Sequence, residues 1–426
     1  MNSIKAIRGM NDILPSAVGA WQDIERQMRK LLLAFGYEEI RPPIVERTEL
    51  FRRSIGEVTD IVEKEMYTFD DRNGDRLSLR PECTASIARA AIQNGLLRTP
   101  GLRVWSMGPM FRHERPQKGR YRQFHQLDVE ILGIADPSAE AELIVMTRRL
   151  WRMLGIPDLA LEVNSLGDKA IQKRYRDELV EYFSSHQAEL DEDCRRRLET
   201  NPLRILDSKN PAMQPLIEAA PRIIDRLDPA ACEHFERLRA MLDEAKVEYR
   251  INPRLVRGLD YYTGTVFEWT TEALGSQGAV CGGGRYDDLI KDIGGAAHPA
   301  IGFAIGLERI VALLEVYGIE ASNSLPHAYL AAIGEAGERS AHALAEGLRD
   351  AIPDLRLIVD AARLSLKAKL KRADRSGARF AFLLGDEEIR DETLTVRDLR
   401  QGTAQSSISL EGIPALIAAT DAAPKP

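Results

Sequence analysis

The chain has 426 residues, 44% of them hydrophobic, and a formal net charge of −7. That length exceeds one ordinary core and sets two or three domains as the expectation. Mild acidity excludes a uniformly basic nucleic-acid binder, so any such contact must be a local patch, and four scattered cysteines without a C-x-x-C pair argue against a zinc site or a disulfide framework.

The amino terminus has no signal-peptide run, and no stretch approaches the roughly 18 apolar residues of a membrane span, so a soluble, cytoplasmic protein with no membrane contact is expected. Trp21, Ile24, Met28, Leu31 and Phe35 recur at spacings of three and four before Gly36, which predicts an amphipathic helix with a glycine stop. Residues 37–47 read as extended, and Pro42-Pro43 places them at a sheet edge. A strand over 77–82 is followed by a helix through Asn94, with Thr84 as its cap. Two strands, 103–112 and 121–133, are joined by a charged loop. Leu143, Val145, Leu150 and Leu154 mark a helix that stops at Gly155.

Residues 168–250 change character. They are rich in Arg, Glu, Asp and Leu, lack β-branched runs and break at Asn201-Pro202, Asn210-Pro211 and Asp228-Pro229, as an inserted helical module would. Strand character returns at 266–271 and 279–281, ahead of Gly282-Gly283-Gly284. That cluster fits neither a P-loop nor a dinucleotide fingerprint and reads as close backbone packing. The run 300–306 passes through Gly306 into an apolar helix with Ile310, Leu313 and Leu314. Small and polar residues at 318–326 mark a boundary. Beyond it strand, helix (336–351), strand, helix (364–376) and strand alternate, predicting a compact α/β domain with a mainly parallel sheet. Residues 420–426 read as a disordered tail.

Chemistry concentrates between Gly108 and Gly133. From Phe124 the strand alternates: Phe124, Gln126, Asp128 and Glu130 share one face, and His125, Leu127, Val129 and Ile131 share the other. A surface strand alternates in the same way. The preceding loop, however, sets Arg112, Arg115, Lys118, Arg120 and Arg122 against Glu114 alone. A basic loop leading into an acidic, amide-bearing face suits a polyanion held beside a small cationic ligand. Arg309, in Gly306-Leu307-Glu308-Arg309, falls in a first helical turn, where the helix dipole and the guanidinium both favour an anion. A second basic cluster sets Arg363, Lys367, Lys369, Lys371, Arg372, Arg375 and Arg379 against Asp374.

Phe111-Arg112-His113-Glu114 resembles motif 2 of the class II aminoacyl-tRNA synthetases, whose core is Phe-Arg-x-Glu. The longer run RHERPQKGRYRQFHQ, and Arg257-Gly258-Leu259-Asp260-Tyr261-Tyr262-Thr263-Gly264, are similar to the histidine-specific branch of that family. The helix followed by a proline-ended strand resembles motif 1, and Gly306-Leu307-Glu308-Arg309 resembles motif 3. The resemblance implies an α+β fold: a class II antiparallel-sheet catalytic core (1–167 and 251–320) interrupted by a helical insertion (168–250). A C-terminal α/β anticodon-binding domain (326–420) follows, and motif 1 builds a homodimer. The implied activity is ATP-dependent ligation of L-histidine to tRNA(His) through histidyl-adenylate, with Mg2+ accompanying ATP and no metal held by the protein itself.

By the same resemblance Arg257 and Arg112 are catalytic. Arg112, Glu114, Arg120, Phe124, Arg257 and Arg309 bind ATP, with adenine between Phe124 and Arg309. Glu82, Thr84 and Gln126 hold the α-ammonium of histidine; Glu130 and Tyr262 bind its imidazole, with Tyr261 and Tyr286 completing the pocket. Arg115 and Gln117 read the acceptor end, the helical insertion touches the acceptor arm, and the basic cluster at 363–379 contacts the anticodon stem. Cys83 stands where the family usually has glycine, which marks it for alkylation. Two alternatives share the fold. A histidine-sensing regulatory subunit of ATP phosphoribosyltransferase typically lacks the C-terminal domain, whereas this chain keeps it along with Arg112, Arg257 and Arg309. A threonyl- or glycyl-type synthetase lacks the 255–264 run.

Overall fold

The periodic apolar residues near the amino terminus wind into α1 (Pro15–Ala34), which buries Trp21, Ile24, Met28, Leu31 and Leu32. Proline in its first turn costs nothing, because that N–H has no helical partner anyway, and Gly36 at φ +79° ends the run. The computed structural model describes residues 4–56, 59, 61–117, 119–275, 278–319, 325–401 and 405–421. They form two compact units, 1–322 and 323–426.

An eight-stranded sheet organises the first unit. Its order is β1 (Glu38–Glu39), β5 (Leu102–Phe111), β6 (Gln123–Leu132), β11 (Ala300–Gly306), β10 (Ala279–Arg285), β9 (Thr263–Thr270), β7 (Ala160–Ser165) and β8 (Arg250–Ile251). The six central strands are antiparallel, and only the two outermost pairs run parallel. The proline-bounded segment does lie at the edge, as β1. A small antiparallel sheet, β2 (Val45–Arg47), β4 (Arg76–Leu79) and β3 (Thr68–Asp70), packs with α2 (Thr48–Ile55). Strand β4 stops at Leu79, shorter than expected, and the chain crosses Arg80–Cys83 before α3 (Thr84–Gln93).

One face of the large sheet carries the main core. Leu127, Val129 and Ile131 of β6 pack there with Trp21 and Met28, with Leu143 and Leu150 of α4 (Ser138–Leu154), and with Phe235 and Leu238 further along the chain. The insertion is helical: α5 (Lys169–Ser185), α6 (Glu192–Thr200), α7 (Gln214–Glu218) and α8 (Pro229–Glu244). Asp168, Asp191 and Asp228 each accept the amide three residues on, at 2.7, 2.7 and 2.8 Å, which fixes where three of these helices begin. It has no core of its own. Tyr175, Phe183 and Ile217 pack in one cluster with Tyr261, Tyr262 and Tyr286 beside α9 (Leu289–Asp292), while α8 joins the opposite core. Strand β11 leads directly into α10 (Leu307–Val316).

The second unit sets β13 (Leu357–Asp360), β12 (Ala328–Ala332) and β14 (Phe380–Leu384) parallel, then adds β15 (Thr393–Asp398) and β16 (Ser406–Ser409) antiparallel. The expected mainly parallel sheet is therefore mixed, with two pairings of each kind. Helices α11 (Gly334–Ala351), α12 (Leu366–Arg375), α13 (Asp386–Arg390) and α14 (Ile413–Asp421) complete it. Most of the boundary at 318–326 and of the predicted tail, namely residues 320–324 and 422–426, lies outside the described residues. No described helix is long and apolar enough to cross a membrane.

Candidate active site

The face of β6 turned from the core lines a cavity of about 690 Å³: Phe124, Gln126 and Asp128 open onto it, and Glu130, next on the same face, is buried. Glu130 is the most constrained of them. Thr84 Oγ1 donates to its Oε1 at 2.7 Å, and the Tyr286 hydroxyl donates to its Oε2. Burial pushes the Glu130 carboxyl well above its ordinary range, and those two hydrogen bonds only partly oppose the shift. Gly302 of β11 lies opposite in register. A methyl group there would overlap the Glu130 carboxyl and stand 2.7 Å from the Val129 carbonyl oxygen. Tyr261 packs against Tyr262 and Tyr286, with ring centroids 4.7 and 5.5 Å away, and closes this end.

Thr84 is not the cap of α3. Cys83 occupies that position, and the amides of Thr84 and Ala85 instead donate to Glu82, at 2.8 and 3.0 Å. A carboxylate at a helix start satisfies two orphan amides and complements the dipole, which leaves the Thr84 hydroxyl for Glu130. Burial raises the Glu82 carboxyl, against those amides and the charge of Arg112. Cys83 corrects another expectation. It is fully buried, with Arg80 Nη1 3.7 Å from its sulfur, and burial followed by the Asp128 charge pushes its thiol well up. A shielded, protonated thiol is a poor nucleophile. Asp128 is 1% exposed, yet among the described residues neither of its oxygens has a hydrogen-bond partner, and Gln126 Oε1 has none either.

The other end is basic. Arg112 follows β5, donates from Nε to the Pro81 carbonyl at 2.8 Å and lies 5.4 Å over the Phe124 ring. Arg257 pairs with Glu268 of β9 and lies 5.7 Å over the Tyr262 ring. Burial is the largest influence and lowers its proton affinity, but the Glu268 charge together with Tyr262 and Tyr261 outweighs it, and the net shift is upward. Arg309 in the first turn of α10 donates to the Ala279 carbonyl, and Arg120 pairs with Glu114. Burial and then the Arg120 charge depress Arg309. Burial depresses Arg120 too, with Glu65 opposing and Arg112 adding. Of the six arginines lining the cavity, Arg112, Arg120, Arg257 and Arg309 thus lie within reach of one another's charge, with Glu114 and Glu268 as carboxylate partners. That excess of buried positive charge favours a polyanion.

Sequence reasoning gave no role to Glu268 or to the tether at Glu308. Glu308 accepts the His125 amide at 2.9 and 3.0 Å, fixing the start of α10 to β6. It also missed Glu140, fully buried against Arg285 (2.8 Å) and His234 (2.6 Å). Arg115 and Gln117 stand apart from the cavity on an exposed loop. Gln117 and Arg120 exchange backbone hydrogen bonds of 3.0 and 2.9 Å there, and Lys118 is outside the described residues. In the second unit Lys369 leaves the expected basic surface: it is buried, and its ammonium donates to the carbonyls of Asp360 (3.1 Å) and Ala332. Arg363, Arg372 and Arg379 pair with Glu338, Asp360 and Asp398, and Lys367, Lys371 and Arg375 are exposed.

The family model described as histidyl-tRNA synthetase matches residues 9–310 of this chain, and one described as an anticodon binding domain matches 327–420. The chain belongs to the histidyl-tRNA synthetase family. It is 56% identical to the histidine–tRNA ligase of Halorhodospira halophila over 408 residues, 96% of each protein. It is 55% identical to that of Alkalilimnicola ehrlichii over 410 residues, 96% of this chain and 95% of the relative. Among solved structures, apo histidyl-tRNA synthetase of S. aureus aligns with TM-score 0.80 at 34% identity, covering 97% of this chain and all of that one. An ATP phosphoribosyltransferase regulatory subunit/histidyl-tRNA synthetase of Bacillus halodurans aligns with TM-score 0.65 at 22% identity, covering 90% of this chain and 98% of that one. That likeness speaks only to the fold.

Proposed function

We propose that this chain ligates L-histidine to tRNA(His) at the expense of ATP, forming histidyl-adenylate and then passing the acyl group to the terminal adenosine. The observation that carries the reading is the two-ended cavity, with four guanidinium groups at one end and hydroxyl-bound Glu130 among three tyrosines at the other. In the first step a carboxylate oxygen of histidine attacks the α-phosphorus in line and pyrophosphate leaves. Charge builds on the α-phosphate, so cations fixed before the reaction lower its barrier. Arg257 and Arg112 take that role. Arg120 holds the remaining phosphate charge, the adenine stacks between Phe124 and Arg309, and Glu114 is an acceptor for the nucleotide's donor groups. Mg2+ arrives with the ATP phosphates; among the described residues no group of three or more His, Cys, Asp or Glu could hold a metal ion.

At the other end Glu130 and Tyr262 take the imidazole, Tyr261 and Tyr286 bound it, and Glu82, Thr84 and Gln126 face the α-ammonium. A pocket built to hydrogen-bond polar groups rejects analogues lacking them by about 10⁴–10⁵. Arg115 and Gln117, exposed on the loop, suit contact with the acceptor end of the tRNA. Residues 326–420 form the anticodon-binding domain, 168–250 the insertion, and 1–167 with 251–320 the catalytic core of a cytoplasmic homodimer. The test is ATP–pyrophosphate exchange with each amino acid in turn. Histidine alone supports it, and Arg257→Ala slows it roughly 10²–10³-fold while largely sparing histidine binding. Exchange with no amino acid would favour a histidine-sensing regulator instead.

A further inference from the structure

Burying a carboxylate without a partner is expensive, and such a group in a native site calls for a specific explanation. Asp128 is that case: it lines the cavity, is 1% exposed, and among the described residues has no hydrogen-bond partner on either oxygen. Its neighbours in the sheet, Ser106 and Ala304, bring no charge. The charged and titratable groups around it are Glu82, Arg80, Arg112, Cys83 and, on its own strand, Glu130. None forms an ion pair with it. Two residues away on the same face, Gln126 Oε1 is another buried acceptor with no donor. Glu82, with an amide on each oxygen, keeps lone pairs to spare.

Two unsatisfied acceptor groups, Asp128 and Gln126, therefore line the same cavity as Glu82 with its spare lone pairs, and a primary ammonium group carries three donors. We propose that Asp128 is a further specificity residue, forming with Glu82 and Gln126 a three-acceptor seat for the α-ammonium group of the amino acid substrate. This rests on the reading that places the ammonium beside Glu82. Burial, then the Glu82 charge, hold the Asp128 carboxyl well above its ordinary range, which favours the protonated form in the empty seat. When the ammonium enters, the carboxylic acid becomes a carboxylate paired with it, and the displaced proton passes to the buffer. Histidine binding is thereby coupled to proton release, and affinity rises with pH while the ammonium stays charged.

The experiment is calorimetric titration of the full chain, without ATP, in two buffers of different ionisation enthalpy. Three ligands are compared: histidine, histidinol, which keeps the ring and the ammonium, and imidazolepropionate, which keeps the ring and the carboxylate. Asp128→Asn weakens histidine and histidinol by about tenfold or more, weakens imidazolepropionate less than about threefold, and abolishes the proton release seen in the wild type. Asp128→Ser reads out the same way if the amide variant does not fold. Equal weakening of all three ligands would mean that Asp128 only shapes the pocket, and no weakening would overturn the seat; either result sinks the proposal. Glu82→Gln is the control. If it leaves histidine affinity intact, the placement of the ammonium fails first and the inference goes with it.

Discussion

Gly282→Ala separates the stability of this protein from its chemistry. Gly282 lies opposite Glu268 in the β9–β10 pairing. A methyl group on it would stand 2.5 Å from Cζ of Arg257 and closer still to both terminal nitrogens. Non-bonded carbons sit at about 3.5–4.0 Å, so the guanidinium must retreat by about 1 Å or more. The obstructing atoms are the far end of a long side chain, not backbone, so the strand accommodates the change and Arg257 gives way. Misplacing a reacting group by about 1 Å costs on the order of 10²-fold in rate, which corresponds to about 2.7 kcal/mol in the barrier. Histidine-dependent ATP–pyrophosphate exchange should fall by that factor, while thermal stability changes little and histidine affinity shifts less than about threefold. Exchange within threefold of the wild type would show that the placement of Arg257 is not what limits the first step.

Glu140→Gln leaves buried Arg285 without its closer counter-charge, keeping the 3.3 Å pair to Asp287, and is expected to cost about 3 kcal/mol or more in urea denaturation. Burial alone would raise the Glu140 carboxyl, but hydrogen bonds from His234 and Arg285 hold it below its ordinary value. Its stabilisation is therefore complete above the unfolded-state pKa and is lost as pH falls through the lower folded value, so the gap between wild type and variant should narrow below about pH 4. A gap that widens on acidification would contradict this. For the thiols, Cys232 alone is exposed while Cys83, Cys194 and Cys281 are buried. A chromogenic disulfide should titrate one cysteine promptly in the native protein and the other three after denaturation; prompt labelling at Cys83 would refute its burial.

Local pattern carried much of this fold. The period of two in β6 assigned its cavity and core faces, the spacing of Trp21, Ile24, Met28 and Leu31 gave α1, and the passage through Gly306 located α10. What escaped depends on partners distant in sequence. Glu82 caps α3 only because β4 stops at Leu79, and the Thr84 hydroxyl is then taken by a carboxylate 46 residues away. Glu268 looks like any alternating strand residue until the β9–β10 register brings it to Arg257. Strand β15 had a readable signal, Leu394, Val396 and Asp398 buried on alternate positions, but the charged residues among them obscured it. Lys369 read as one more surface cation, because nothing in its spacing tells that two carbonyl groups await it inside.

Strands β10 and β11 of the large sheet carry glycines beside the cavity. A methyl group at Gly284 would come within 2.7 Å of the Thr265 carbonyl oxygen, and at Gly302 into the Glu130 carboxyl. Drift in these strands is therefore blocked by collision with the scaffold before any ligand is involved. New tastes are better acquired on the adjoining strand β6, through Phe124, Gln126, Asp128 and Glu130, or from the loops above. An engineer seeking a different amino acid should leave the glycines alone and randomise that adjoining row.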